Sequence, residues 1–426
     1  MTKRAACATL VVRCFMFLLF DCNNFFASCE QVFRPDWRRR PLVVLSNNDG
    51  CVVSRSREAK AAGIAMGEPY FKCKDKLKRI NGVVCSANFP LYSDLSDRFI
   101  SILEQDLPEV QQYSIDEAFA VVLPGVDWVR IARELRRKIY RWVGITVSVG
   151  IAPTRTLCKL ANEAAKRHPE YRGVLPLMSP ADWEPWLQST PVGDIWGVGR
   201  RLLPRMHALG IRTAAGLAAA DKAWLRKQFG VHGERMALEL NGIPCIDEEP
   251  AAPRTQIMVS RSLKEAVPEL PRLREILCLF VEKAGRILRQ EEMMASEVHV
   301  VLRTSRFEGD ASQLYANSAG ISLGGHTDDN REFTAAATRL LEQIYRPGFP
   351  YRKIGVLLTG LLPRDSVQPT FERPDAAPNE LMKVLDKLQR AGHNIHFANR
   401  ASTLPWKREF TSPCYTTSWD DLPEVR

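Results

Sequence analysis

From Met16 onward the chain alternates short apolar runs with helical spacings, and that alternation constrains its fold more than any other feature. The first run, Met16 to Phe20, reads as a short buried strand that stops at a polar turn, Asp21 to Asn24. Pro41 to Ser46 and Cys51 to Ser54 read as a strand pair around Asn47-Asn48-Asp49-Gly50, whose Asp-Gly step suits the positive backbone angles of a tight reversal. Helical spacing follows at Leu91, Leu95, Phe99 and Leu103. Two further strands, Val110 to Ser114 and Ala118 to Leu123, then form a hairpin around Ile115-Asp116-Glu117. A helix over Trp128 to Trp142, a strand over Ile145 to Ile151 and a helix over Thr154 to Lys166 complete an α+β unit ending near residue 178.

The composition shifts at Ser179. Up to about Glu248 the chain is rich in Ala and Leu and reads as short helices without a strand. The Pro-containing segment 249–256 is a stiff linker. Beyond it, strands at Ile257 to Ser262, Glu297 to Thr304 and Lys353 to Leu362 alternate with helices at Pro271 to Gln290 and Glu332 to Ile344, a second α+β domain. The tail from residue 364 holds one helix, Glu380 to Ala391, and its polar, Pro-rich remainder is expected to order largely on a partner. The whole, 426 residues, is too long for one core and predicts three or four domains.

Charge is unevenly placed. The net +10 is concentrated early, and residues 34–79 alone carry 12 basic against 5 acidic side chains, a candidate phosphate-facing surface. A solvated basic face that only aids solubility is the competing reading. The eleven cysteines include no CxxC pair and no His/Cys cluster at zinc spacing, which argues for reduced thiols in a cytosol. Lys3, Arg4 and the apolar run to Phe20 imitate a secretory leader. Arg13 interrupts that run, and Asp21, Asn23 and Asn24 precede the imitation cleavage site at Ala27-Ser28-Cys29, so a leader is rejected. No run reaches the ~18 apolar residues of a membrane span, and a cytoplasmic protein is expected.

Asp21 follows the first strand and Asp116-Glu117 sits at the hairpin turn, so adjacent strands would bring three carboxylates together. Converging carboxylates hold the metal ions that nucleotidyl transfer needs, and magnesium favours such hard oxygen ligands. A lone Asp-Glu pair is ordinarily a solvated turn.

The strings around these residues change that weighting. MFLLFDCNNFFASCE (16–30), YSIDEAF (113–119) and SVGIAPTRTLCKLANEAAK (148–166), with SNNDGCVVSR (46–55), resemble Y-family translesion DNA polymerases and most of all their UmuC branch. The resemblance runs from Met16 to the C-terminus. It implies a right-hand polymerase of the α+β multidomain class: a ferredoxin-like palm (16–25 and 93–178), small fingers (26–92), a helical helix-hairpin-helix thumb (179–248) and an α+β little finger (257–363). The family's chains begin at the position of Met16, which makes residues 1–15 an N-terminal extension, and the tail 364–426 serves partner binding.

By the same resemblance Asp21, Asp116 and Glu117 are catalytic and bind two magnesium ions, replaceable by manganese, with the Cys22 carbonyl as a further ligand. Phe26 is the steric gate against a ribose 2′-hydroxyl. Ser54, Arg57, Lys60 and Lys166 bind the triphosphate, while Gly50 and Cys51 cover the nascent base pair. Gly197, Val198 and Gly199 form the hairpin whose backbone meets a DNA phosphate. Gln368 and Phe371 stand where relatives carry a sliding-clamp peptide, although Pro369 replaces one of its apolar anchors. The implied activity is error-prone synthesis past DNA damage in an SOS-type response. The implied partners are primer-template DNA, deoxynucleoside triphosphates, a UmuD′-like dimer, RecA and the sliding clamp, in a nucleoid-associated bacterial enzyme. A non-catalytic DNA-binding component and a nucleotide cyclase on a similar palm are the alternatives. Intact carboxylates weigh against the first, and the helical hairpin with the second α+β domain weighs against the other.

Overall fold

The structure, a computed structural model, describes residues 15–246, 253–305, 314–368, 380–397, 399–401 and 408–422. It separates into two compact units, one of residues 1–248 with 409–426 and one of residues 249–408.

The first unit is built on β1 (Met16–Cys22), every residue of which is buried. Alternation splits its side chains between two cores. Leu18 and Phe20 pack with Leu95, Phe99, Leu135 and Ile139, whereas Phe17 and Leu19 pack with Leu157, Ala161 and Trp183 on the other face. A strand covered on both faces needs an unbroken apolar run, which is what Met16 to Phe20 supplies. After β1 come α1 (Phe25–Phe33), β2 (Leu42–Leu45), β3 (Val52–Arg55), α2 (Arg57–Ala61), α3 (Tyr70–Arg79), β4 (Val83–Ser86) and α4 (Phe89–Asp106). β2 lies between β3 and β4 in a small sheet, and Val43, Leu45, Val52 and Leu77 form its core. Next are β5 (Val110–Gln112), β6 (Glu117–Val122), α5 (Trp128–Val143), β7 (Val147–Ala152), α6 (Arg155–Arg167) and β8 (Val174–Pro176). The main sheet runs β5-β6-β1-β7-β8, with β1 antiparallel to both neighbours.

One contact sets the depth of α6 on this sheet. A Cβ on Gly150 would lie 2.1 Å from the Cys158 carbonyl and 2.7 Å from the Asn162 amide nitrogen, so only glycine lets the helix approach β7 this closely. Asn162 exploits the approach: its Nδ2 donates to the carbonyls of Leu19 (3.1 Å) and Ser148 (2.8 Å), joining two strands to the helix. At the other end, Thr154 caps α6 by accepting from the Leu157 amide.

The helical segment expected after residue 178 forms α7 (Pro180–Ser189), α8 (Leu202–Ala208), α9 (Ala214–Ala219) and α10 (Lys222–Leu240). It is fastened to α6 through Glu239 on α10, fully buried, whose carboxylate accepts from the Thr156 amide at 3.0 Å.

In the second unit β9 (Ile257–Val267), α11 (Leu270–Gln290), β10 (Met293–Thr304), β11 (Ala316–Thr327), α12 (Asn330–Ile344) and β12 (Tyr351–Pro363) form an antiparallel sheet, order β11-β10-β12-β9, packed against two helices. The strand β11 has no counterpart in the sequence reading, since its run of Ala, Ser and Gly is mostly exposed and is held by backbone pairing with β10.

The tail departs from expectation. Helix α13 (Glu380–Arg390) packs on the second unit through a buried pair in which Arg289 donates to Asp386 at 2.6 and 2.9 Å. Residues 409–422 belong to the first unit. Both segments are therefore ordered on the chain itself, because their apolar and charged groups find partners within it. Residues 1–14 of the extension, residues 249–252 of the linker and Phe371 lie outside the described residues.

Adding one methyl group at Gly150 forces α6 off the sheet. Gly150→Ala is expected to cost about 1–3 kcal/mol of unfolding free energy, the usual scale of overpacking, read from urea denaturation. An unchanged midpoint would contradict the close-approach argument.

Candidate active site

The end of β1 is where the sheet turns polar. Asp21 and Glu117 are directly opposite in the β1–β6 register, so their side chains leave the same face as Phe17, Leu19 and Phe119, the face covered by α6. Asp116 precedes β6, and its carbonyl accepts the Cys22 amide at 2.9 Å, which ties the two strand ends together. Ser114 braces the turn: its hydroxyl donates to the Asp116 carboxylate at 2.8 Å and accepts from the Glu117 amide at 3.1 Å.

Two lysines on α6 answer this charge. Lys166 Nζ lies 2.6 Å from Asp21, and Lys159 Nζ lies 3.0 and 2.9 Å from the two Glu117 oxygens. They are seven residues apart, two helical turns, and hence on one face. Lys159 also lies 4.4 Å from the Tyr113 ring centroid and 5.4 Å from that of Trp196. Burial pushes the Asp21 carboxyl from 3.8 up to about 7, against the pull of Lys166 and with an added push from Glu117. Asp116 is raised as well, chiefly by burial, with the Ser114 hydrogen bond opposing.

Two clefts open on this point and share Asp21 and Lys166. One is lined by Cys22, Phe26, Ser54, Arg55, Lys60 and Asp116. The other is lined by Glu117, Lys159, Asn162, Asp194 and Trp196. Phe26, on α1, stacks on Tyr92 at 4.4 Å with 13° between the rings, and meets Phe89 edge-on at 5.8 Å. The Ser54 hydroxyl accepts from the Ala27 amide at 3.3 Å, linking β3 to α1. Lys60 loses some of its affinity for a proton, first through burial and then through Arg55 and Lys166 nearby.

Of the residues expected here, Asp21, Cys22, Phe26, Ser54, Lys60, Asp116, Glu117 and Lys166 are gathered at the two clefts. Arg57 is not: it is exposed at the start of α2, while Arg55, two residues earlier on β3, lines the cleft and donates to the Ile64 carbonyl at 2.6 Å. The turn between strand and helix accounts for this: β3 ends at Arg55, Ser56 caps α2, and Arg57 already belongs to the helix. Gly50 and Cys51 lie in the loop between β2 and β3, where the Gly50 carbonyl accepts the Tyr70 amide at 2.8 Å. Gly197, with φ +95°, and Gly199 are exposed in the turn before α8, and the Val198 side chain is buried beneath them. A Cβ on Gly197 would lie 3.0 Å from Met236 Sδ. Gln368 is exposed, and Phe371 lies outside the described residues. Sequence reasoning missed Lys159, Asn162 and Arg55; the seven-residue spacing from Lys159 to Lys166 was the available sign of the first.

A divalent cation suits the donor chemistry: hard oxygens from neighbouring strands, partly buried, with the Asp21 and Asp116 carboxyls both raised by burial. Among the described residues no three acidic, His or Cys side chains converge to metal-binding distance. Asp21 and Glu117 each hold a lysine ammonium in that role.

Comparison with known proteins identifies the family. Residues 20–163 match the impB/mucB/samB family, 180–211 the IMS family HHH motif, 254–371 the impB/mucB/samB family C-terminal domain, and 379–425 a domain of unknown function, DUF4113. Protein ImpB of Salmonella typhimurium is 42% identical over 424 residues, 96% of this chain and 100% of that one. Protein UmuC of Salmonella typhimurium is 42% identical over 425 residues with the same coverage. Among solved structures, a Y-family DNA polymerase chimera of Dbh and Dpo4 matches at TM-score 0.64 and 23% identity, over 82% of this chain and 99% of that one, a likeness of fold. No helix among the described residues is long and apolar enough to cross a membrane.

The raised pKa of Asp21 makes metal-free stability depend on pH. A carboxyl whose folded pKa exceeds its unfolded value takes up protons on folding, so its contribution is fully present below 3.8 and is lost as pH rises to about 7. Asp21→Asn is expected to gain on the unmutated chain in urea midpoint as pH rises from about 4 to about 7 with no metal added. A gap that does not change with pH would contradict the burial of charge at this position. The chain belongs to the impB/mucB/samB family, the UmuC-type branch of the Y-family DNA polymerases.

Proposed function

We propose that the chain extends a DNA primer past template damage by two-metal nucleotidyl transfer, as the error-prone polymerase of an SOS-type response. The observation that carries this reading is the meeting of the two clefts at Asp21, one furnished for a nucleotide and the other open toward Glu117 and the helical segment. Membership in the UmuC-type branch supports it.

In the first cleft Arg55, Lys60 and Lys166 supply cations for triphosphate oxygens, and Ser54 supplies a hydroxyl. Phe26, backed by Tyr92, stands where a ribose 2′-hydroxyl would have to fit. Gly50 and Cys51, both small, face the nascent base pair and leave room for a distorted template base. The primer end lies toward the second cleft, against Glu117. Two magnesium ions, replaceable by manganese, would be held by Asp21, Asp116, Glu117 and the Cys22 carbonyl; when bound, they lower the pKa of the attacking hydroxyl and neutralise the leaving pyrophosphate. Lys166 lines both clefts, so its ammonium can exchange Asp21 for a phosphate oxygen without leaving the site.

Duplex DNA is held outside this centre. The exposed backbone at Gly197 and Gly199, fixed by the buried Val198, suits a phosphate contact indifferent to sequence. On α3, Cys73 and Leu77 face inward while Lys72, Lys74 and Lys78 are exposed, so the basic excess of residues 34–79 is presented to solvent. The UmuC-type kinship extends the proposal to a UmuD′-like dimer and RecA as partners, and to the sliding clamp through the segment beginning at Gln368.

Primer extension on undamaged and abasic templates with magnesium tests the chemistry. The chain, with its partner dimer supplied, is expected to extend both, and Asp116→Asn to lose at least about a hundredfold in rate, as when a charge stabilising the transition state is removed. Equal extension by the two proteins would refute the assignment.

A further inference from the structure

The segment 409–415 forms a strap across the first unit, and its contacts converge behind Phe26. The Ser86 amide donates to the Phe410 carbonyl at 2.9 Å, and the Phe410 amide donates to the Ser86 hydroxyl at 3.1 Å, so the strap continues the edge of the small sheet beyond β4. The Phe410 ring packs against that sheet's core and meets Tyr70 edge-on at 5.6 Å. Tyr415 stacks on Phe33 at 4.7 Å, the rings within 3° of parallel.

Between these two aromatic anchors lies Ser412, itself buried. Asn88 Nδ2 donates to its hydroxyl at 2.9 Å, and the hydroxyl donates to Glu30 Oε1 at 3.1 Å. Glu30 is fully buried on α1, one helical turn after Phe26. The same oxygen accepts the Tyr92 hydroxyl at 2.7 Å, and the Tyr92 ring is the one stacked on Phe26. A buried carboxylate depends on its few donors, since its other oxygen, Oε2, has no partner among the described residues. Ser412 is thus one of two hydroxyls that fix the carboxylate, and the other belongs to the residue backing the gate.

We infer that the C-terminal strap is a positioning element for sugar selection: Ser412, through Glu30 and Tyr92, sets the place of the Phe26 ring and so the exclusion of ribonucleotides. This rests on the reading of Phe26 as the sugar gate. The strap touches no nucleotide; it acts through α1 and α4, where Phe26 lines the cleft and the buried Tyr92 backs it. Loss of the Ser412 hydroxyl leaves Glu30 with Tyr92 alone, frees the carboxylate to turn, and loosens the stacked pair.

The test is single-nucleotide insertion by the full chain with its partner, comparing the efficiency for a deoxynucleotide with that for the matching ribonucleotide. Ser412→Ala and Tyr92→Phe are each expected to lower this ratio about fivefold, the scale of one net hydrogen bond, with deoxynucleotide insertion nearly unchanged. Their combination should lower it no further than either alone, and Ser412→Thr should restore it. Trp419→Ala, at a tail residue 89% exposed, should leave it unchanged. Phe26→Ala separates the two readings. If Phe26→Ala collapses the ratio while Ser412→Ala and Tyr92→Phe do not move it, the strap has no positioning role and the gate stands. If Phe26→Ala leaves the ratio intact, both readings fall. An equal loss from Trp419→Ala would show a general effect of the tail and overturn the inference.

Discussion

The approach of α6 to β7 at Gly150 is the contact on which the site depends. With no side chain there, the helix settles until its backbone nearly touches the strand. At that depth Asn162 bonds to β1 and β7 together, and Lys159 and Lys166 reach the polar end of the sheet. Any larger residue at position 150 would lift both ammonium groups away from their carboxylates. The packing and the electrostatics of this centre are therefore one constraint.

Those electrostatics explain why the site is poised rather than settled. Asp21 ends a strand that is apolar on both faces, so its carboxylate is poorly solvated and its pKa is high. The two lysines relieve part of that cost. They leave the Asp116 carboxylate to the hydroxyl of Ser114 in its own turn. A centre built this way costs the fold stability, as functional sites commonly do. Lys166 lies where the clefts meet, so the group that balances Asp21 faces both of them, as its proposed part in binding a triphosphate requires.

Much of this was legible in the sequence because it lies on long periodic elements. The run Met16 to Phe20 read as a buried strand and is one; the helix expected from Thr154 begins at Arg155, with Thr154 as its cap. What escaped notice has physical causes. β4 and β8, at four and three residues, are too short to show a period, and each exists through parallel pairing with a neighbour. β11 offers small residues because its faces bury little. Arg57 drew attention by resemblance, whereas Arg55, the last residue of β3, lines the cleft, and that shows only once the boundary between β3 and α2 is fixed. The tail read as partner-dependent from its polarity, yet a few aromatic residues, Phe410 and Tyr415, suffice to fasten it.

In the proposed mechanism Asp21, Asp116 and Glu117 form one cation site whose resting counter-ions are lysines. Manganese binding followed by electron paramagnetic resonance, on the chain with primer-template DNA and a non-reacting deoxynucleotide analogue, tests it most directly. About two bound ions per chain are expected, with at least one lost in Asp116→Asn. The same number of ions, bound equally tightly, in both proteins would contradict it.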